Sequence, residues 1–166
     1  SFSINQIFFY IRLNKPLILI DTVLANGSYA FENAIGFLDS KGFETNIKMR
    51  FEDWGFYCGY TLIDANRHYN QTKSVNPLTA TSRIYLTLTY EVEEKLRIGY
   101  ECFYTGLQYL SNGQKRPDYW LMGISAEYKF KHFSLFMNAE NFLNTRQTRY
   151  EGVYTGTLQN PKFREI

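Results

Sequence analysis

The stretch Arg83-Ile84-Tyr85-Leu86-Thr87-Leu88-Thr89-Tyr90-Glu91 decides the fold. Ile84, Leu86, Leu88 and Tyr90 fall on one side of an extended chain, and Arg83, Tyr85, Thr87, Thr89 and Glu91 on the other. Side chains of a strand alternate with period two, so this segment predicts a strand with one apolar and one polar face. The pattern resumes at once, with Leu96, Ile98, Tyr100, Cys102 and Tyr104 opposing Arg97, Gly99, Glu101, Phe103 and Thr105. Only Val92-Glu93-Glu94-Lys95 lies between the two runs, which is hairpin length.

The same alternation extends in both directions. Toward the C-terminus, Trp120, Met122, Ile124, Ala126, Tyr128 and Phe130 oppose Leu121, Gly123, Ser125, Glu127 and Lys129. Past Lys131-His132, Phe133, Leu135, Met137 and Ala139 oppose Ser134, Phe136, Asn138 and Glu140. Toward the N-terminus, Ile47, Met49 and Phe51 oppose Asn46, Lys48 and Arg50. Past Glu52-Asp53-Trp54, Phe56, Cys58, Tyr60 and Leu62 oppose Tyr57, Gly59 and Thr61. Ile4 to Leu13 is also strand-like, with Ile7, Phe9 and Ile11 set against Gln6, Phe8 and Tyr10, but its faces are less distinct. Seven long strands are expected. Between their tight links lie longer polar segments, 14–43, 65–82 and 107–117, with another from 144 to 166. Short and long links alternate as in an up-and-down membrane barrel with tight periplasmic turns and long outer loops.

Charge decides which solvent meets each face. The polar faces carry Lys48, Arg50, Arg83, Glu91, Arg97, Glu101, Glu127, Lys129 and Glu140, so that side is wet. The apolar faces have no second sheet or helix in the sequence to cover them. In water they would far exceed the few hundred Å² of apolar patch usual for a soluble monomer. Lipid is the simplest cover, and a small soluble barrel or lipocalin-like fold is the runner-up. Tyr equals Phe at 14 each, as suits rings half in lipid and half in water. Tyr90, Tyr128, Phe130 and Phe133 sit near the short turns; Tyr60, Tyr104, Tyr119 and Trp120 sit toward the other end, so two aromatic girdles are expected.

Other classes are disfavoured. A net charge of +2 without a basic block gives no case for nucleic acid. The apolar run Leu17–Ile20 is far shorter than a membrane helix. Ser1-Phe2-Ser3-Ile4-Asn5 lacks the features of a signal peptide, so the chain is expected to have lost one or to begin within a longer protein. His68, in a long link, and His132, in a turn, are read as solvated, and no His/Cys cluster has metal-ligand spacing. Cys58 and Cys102 share the apolar face but lie two strands apart, near 10 Å, beyond disulfide reach. Two free buried thiols are expected. No catalytic set and no cofactor site are expected.

The end of the chain carries a family resemblance. Phe133-Ser-Leu-Phe-Met-Asn-Ala-Glu-Asn-Phe-Leu-Asn-Thr-Arg-Gln-Thr-Arg-Tyr150 resembles the penultimate strand of TonB-dependent outer-membrane receptors, where an Asn-aromatic-x-Asn segment ends the strand. Tyr154-Thr-Gly-Thr-Leu-Gln-Asn-Pro-Lys-Phe163 resembles the last outer loop of such receptors in the Bacteroidetes style. Phe31-Glu-Asn-Ala34, Asp39-Ser-Lys-Gly-Phe-Glu-Thr-Asn-Ile47, Gly59-Tyr-Thr-Leu-Ile-Asp-Ala65 and Asn76-Pro-Leu-Thr-Ala80 match in order and spacing.

The resemblance implies that residues 1–166 are part of one receptor barrel domain, without the plug and last strand of a barrel of about 22 strands. The sheet should then be open and curved. It also implies an outer-membrane location, TonB as a partner through the plug, and import of a scarce nutrient, a ferric siderophore first among the candidates. A passive porin-like or structural barrel and a soluble ligand-binding barrel are the alternatives; none is an enzyme. Outer-loop residues Arg146, Arg149, Tyr150 and Tyr154, with Arg67, Tyr69, Tyr109 and Arg116 as weaker candidates, are the implied contacts for a small-molecule or metal-chelate ligand. Loop packing and wall salt bridges are the competing roles. Arg50, Arg83, Arg97, Glu101 and Glu127 are expected to pair with one another or with the plug.

Overall fold

The computed structural model describes residues 1–19, 30–147, 154–157 and 160–163. In chain order the strands are β1 (Phe2–Asn14), β2 (Leu17–Leu19), β3 (Phe31–Asn33), β4 (Gly36–Phe51), β5 (Trp54–Tyr69), β6 (Thr72–Val75), β7 (Ser82–Val92), β8 (Leu96–Thr105), β9 (Gln108–Tyr109), β10 (Lys115–Arg116), β11 (Tyr119–Lys129), β12 (Ser134–Ala139), β13 (Tyr154–Thr157) and β14 (Asn160–Phe163). One antiparallel sheet runs β1-β4-β5-β7-β8-β11-β12, with β6 added on β5. These are the seven expected strands in the expected order, and the sheet stays open, with β1 and β12 as its edges. Small hairpins β2–β3, β9–β10 and β13–β14 stand off this path.

The register fixes the two faces. Ile47, Cys58, Leu86, Cys102 and Met122 form one continuous rung across β4, β5, β7, β8 and β11. On the other face Lys48, Tyr57, Thr87, Glu101 and Gly123 form the adjoining rung. Among the described residues the buried hydrophobic positions are only Ala34, Ala65, Ala80, Cys102 and Leu110, while Phe51, Leu135, Met137 and many other large apolar side chains are exposed. A soluble protein hides such residues; a membrane wall shows them to lipid.

Aromatic pairs mark both limits of the lipid face. Near the short turns Trp54 and Tyr90 lie 4.6 Å apart, and Phe130 lies 4.7 Å from Tyr128 and 4.5 Å from Phe133. Toward the other end Tyr104 and Trp120 lie 4.7 Å apart, and Phe43 and Tyr60 5.8 Å apart. Just beyond Phe43 the same face turns polar. Lys41 pairs with Asp64 at 3.5 Å, and His68 meets Asp39 at 3.0 Å while stacking on Phe37 at 4.3 Å. Charges of that density leave the hydrocarbon, so lipid covers β4 from Phe43 to Phe51, close to the 9–11 residues a tilted strand needs. The rest of β4 and β5 projects outward as a ribbon, edged by Phe9–Asn14 of β1 on one side and by β6 on the other.

That ribbon corrects the expected boundaries. Segments 14–43 and 65–82 are not long polar loops: β4 begins at Gly36 and β5 continues to Tyr69. Arg67, His68 and Tyr69 therefore sit on a strand, and His68 is half-buried rather than freely solvated. Asn70-Gln71 turns β5 into β6 with both residues at positive φ, 49° and 63°. This is the primed geometry that suits hairpin twist, reached here without glycine. Glu93 and Glu94 do the same at 49° and 55° between β7 and β8.

Three further expectations change. On β1 the lipid face holds Phe2, Ile4, Phe8 and Tyr10, because Phe8 pairs with Phe43 and Ile4 with Ile47; Ile7, Phe9, Ile11 and Leu13 face inward. Phe9 fits there because Gly42 opposite it has no side chain. Tyr119 pairs with Thr105 on the inner face and so leaves the outer girdle. The cysteines are free, with Leu86 between them on their rung, but only Cys102 is buried and Cys58 is half-buried.

Candidate functional site

The inner face is where a polar ligand could meet this wall. Tyr57 and Tyr85 lie 5.4 Å apart, and Tyr85 and Phe103 4.8 Å apart, forming an aromatic row across β5, β7 and β8. The row is held in place. The Tyr57 hydroxyl donates to Asn46 Oδ1 at 2.6 Å, and Asn46 Nδ2 donates to Glu44 Oε1 at 2.6 Å. A Cβ at Gly59 would stand 3.0 Å from Asn46 Oδ1 and 3.4 Å from the Tyr57 hydroxyl, so the glycine clears the space this relay occupies.

A cavity of about 490 Å³ opens over the row, lined also by Arg83, Gln108, Tyr119 and Leu121. Among the described residues Arg83 takes part in no ion pair, whereas Arg97 is held by Glu91 at 3.3 Å. Among the described residues none of Arg50, Arg83, Arg97, Glu101 and Glu127 forms an ion pair with another of that set; Arg97 pairs instead with Glu91. A guanidinium among rings can bind anions and stack on planar groups.

A second cavity, of about 280 Å³, lies at the outer start of β11, lined by Gln108, Arg116, Pro117, Asp118, Tyr119, Trp120, Leu143, Thr145, Arg146 and Gln147. The Asn141–Thr145 turn builds one side. Asn141 stands at φ 46°, its Nδ2 donates to the Thr145 carbonyl at 3.0 Å, and Thr145 N–H donates back to Asn141 Oδ1 at 2.9 Å. Thr145 Oγ1 then donates to the Trp120 carbonyl at 2.7 Å, and Arg146 Nε to Asn144 Oδ1 at 2.9 Å. This explains the Asn-aromatic-x-Asn ending: the first Asn closes the turn and the second holds the arginine that follows. Asn141→Ala removes two turn bonds and is expected to destabilise this corner by about 1–3 kcal/mol. Proteolysis of the parent protein near residue 146 should accelerate, and an unchanged cleavage pattern would refute this role.

The sequence-derived candidates divide. Arg116 and Arg146 line the same cavity. Arg67, on the inner face of β5, donates from Nε to Asn76 Oδ1 at 2.9 Å, while Asn76 Nδ2 donates to Thr79 at 2.8 Å, so Arg67 steadies the Asn76–Ala80 return loop. Tyr69 pairs with Thr72 at the hairpin end. Tyr109 pairs with Lys115, and its carbonyl accepts from Leu78 N–H at 2.8 Å. Tyr154 belongs to β13, while Arg149 and Tyr150 lie outside the described residues. Tyr57, Tyr85 and Gln108 are not among those candidates, and Tyr119 was expected in the girdle, although strand parity places the three tyrosines on the inner face. Among the described residues no group of three or more His, Cys, Asp or Glu converges as a metal site.

An open meander with a lipid face, two girdles and a cavity-bearing polar face is the wall of a transmembrane β-barrel. The profile of the TonB dependent receptor-like β-barrel family matches residues 7–142, and the chain belongs to that family. It is an outer-membrane family of transport receptors rather than enzymes. No curated protein matches the sequence. Among solved structures, the chain is similar to the siderophore receptor PirA from Acinetobacter baumannii, with TM-score 0.69 and 17% identity over 86% of this chain and 25% of that one. It is similar to the FrpB iron transporter from Neisseria meningitidis, at 0.66 and 15% over 87% and 24%. It is also similar to the ferric-catecholate import receptor Fiu from E. coli, at 0.63 and 16% over 87% and 21%. At these identities the likeness is one of fold. The chain spans about a quarter or less of each solved receptor.

Proposed function

We propose that this chain is part of the wall of a receptor that imports a scarce nutrient across the outer membrane, energised by TonB, with a ferric siderophore as the leading ligand class. The observation that carries the reading is the inner-face cavity where Arg83 stands beside the Tyr57–Tyr85–Phe103 row. Many siderophore complexes are anionic and carry flat unsaturated groups, which a guanidinium and aromatic rings complement. Structural likeness to iron and siderophore receptors supports the same class. Residues 1–166 contribute wall; the plug and the remaining strands belong to the parent protein. Arg149, Tyr150, Tyr154, Arg67, Tyr69 and Tyr109 stay as further proposed contacts, behind Arg83, Arg116 and Arg146.

The test uses the parent receptor in iron-starved cells given radiolabelled ferric catecholate, hydroxamate and citrate complexes. One complex should accumulate only when both the receptor and TonB are present. Arg83→Ala should weaken its binding about tenfold, the size of one lost charge-assisted contact. Receptor-dependent entry that persists without TonB would indicate a passive pore and defeat the proposal.

A further inference from the structure

The hydrogen bonds that steady the aromatic row have a direction. Asn46 Nδ2 donates to Glu44 Oε1 at 2.6 Å, and the Tyr57 hydroxyl donates to Asn46 Oδ1 at 2.6 Å. A carboxylate only accepts, whereas an amide has an accepting oxygen on one side and donating N–H groups on the other. Turned over, the Asn46 amide would set its oxygen against the carboxylate, two acceptors at bonding distance. Glu44 therefore fixes the amide, and the amide takes the one proton of the Tyr57 hydroxyl. What Tyr57 Oη has left are lone pairs, which only accept.

Glu44, Asn46, Tyr57 and Gly59 all line the cavity of about 490 Å³. Among the described residues Glu44 forms no ion pair, so its carboxylate adds further acceptors to this corner. Arg83, which only donates, stands on the same register line: Glu44 pairs with Thr61, and Thr61 with Arg83. Two strand spacings separate the backbones of Glu44 and Arg83 by about 10 Å, a span that one substituted ring with its polar groups can bridge between the two side chains. One cavity thus holds an accepting corner and a donating one.

Resting on the receptor reading, we propose that this cavity selects its cargo by hydrogen-bond direction: the Glu44–Asn46–Tyr57 corner takes a group that donates, a hydroxyl, amide N–H or ammonium, while Arg83 takes an oxyanion of the same molecule. The substrate class is an acid, or its metal complex, that keeps a free donor about one ring away from the anionic group. Asn46 is a positioning residue, because it acts through Tyr57. An ether or ester at the corner would bring lone pairs against lone pairs, and a buried polar group left without its bond costs more than a made bond contributes.

Competition binding to the purified parent receptor, read by saturation-transfer NMR, tests this without transport. The probes are para-hydroxymethylbenzoate and para-methoxybenzoate, isomers with the same ring and charge, of which only the first carries an O–H donor. The hydroxymethyl isomer should bind about tenfold more tightly, the size of one hydrogen bond to a polar corner. Asn46→Leu frees the Tyr57 proton to donate, so the ratio should fall to about twofold or less. Glu44→Gln lets the amide turn over and should lower the ratio as well. If Asn46 only supported the ring, its loss would weaken both isomers alike and leave the ratio where it was. Arg83→Ala should weaken both about tenfold and leave the ratio unchanged. Failure of the hydroxymethyl isomer to bind at millimolar concentration, equal affinities for the two isomers, or a ratio unmoved in Asn46→Leu each overturns the inference. None of these outcomes touches TonB-dependent uptake, and loss of that uptake would leave the isomer ratio standing.

Discussion

Leu86→Arg is expected to lower the stability of the parent barrel in a bilayer by about 2–4 kcal/mol, the cost of a cation at mid-membrane on a lipid-facing strand. Leu86 lies midway along β7, on the lipid-facing rung between Cys58 and Cys102. Thr87→Arg, one residue on, lies on the inner face in register with Tyr57 and Glu101 and should cost far less. The pair separates a membrane wall from a soluble sheet, because only lipid penalises the two faces so unequally. Urea unfolding from vesicles, or loss of heat-modifiable migration in detergent gels, provides the measurement. Equal penalties at 86 and 87 would refute the assignment of faces.

Gly42→Ala should cost about 2–4 kcal/mol, at the upper end for a single substitution. A Cβ at Gly42 would collide with the Leu62 carbonyl oxygen and stand 2.9 Å from Phe9 Cζ. The ring can swing away, but the carbonyl belongs to the neighbouring strand and moves only with it. Phe9→Ala in the same chain should therefore fail to restore stability. Gly123→Ala is the control, since its nearest neighbour would be the Ala139 carbonyl at an ordinary 3.7 Å. A Gly42→Ala protein as stable as Gly123→Ala would show that the β4–β5 approach is looser than described.

The lipid-covered part of the wall was legible in the sequence because one physical rule governs it. Water on one side and lipid on the other impose period two, and β7, β8 and β11 follow it except at Phe103 and Leu121, which are apolar on the inner face. Legibility failed where the rule lapses. On the projecting ribbon both faces of β4 and β5 meet water, so Lys41, Asp64 and Arg67 resemble loop residues although they lie in strands. On β1 both faces are apolar, and only pairing with β4 shows that Phe8 rather than Phe9 belongs with Phe43.

The candidate site was partly legible for a related reason. Arg116 and Arg146 stood out as basic residues near aromatics, but composition cannot say that a hairpin and an Asx turn bring them to one cavity. Tyr57 and Tyr85 were hidden among residues that favour strands anyway. Their role needs the diagonal step between strands, which only the register supplies.

The order of strands in the sheet also governs how such a wall could be made. Along its main path each strand pairs with the next one in the chain, and no later segment is threaded between earlier ones. Ring closure is cheap for short connections, so chains of this topology can zip up progressively from adjacent hairpins. Growth of that kind leaves the newest strand as an open border at every stage, besides the edge at β1: after β12 joins, its outer row of amides and carbonyls waits for the next partner. The same border that makes the segment prone to self-association in isolation would be the growing end during assembly of the parent barrel.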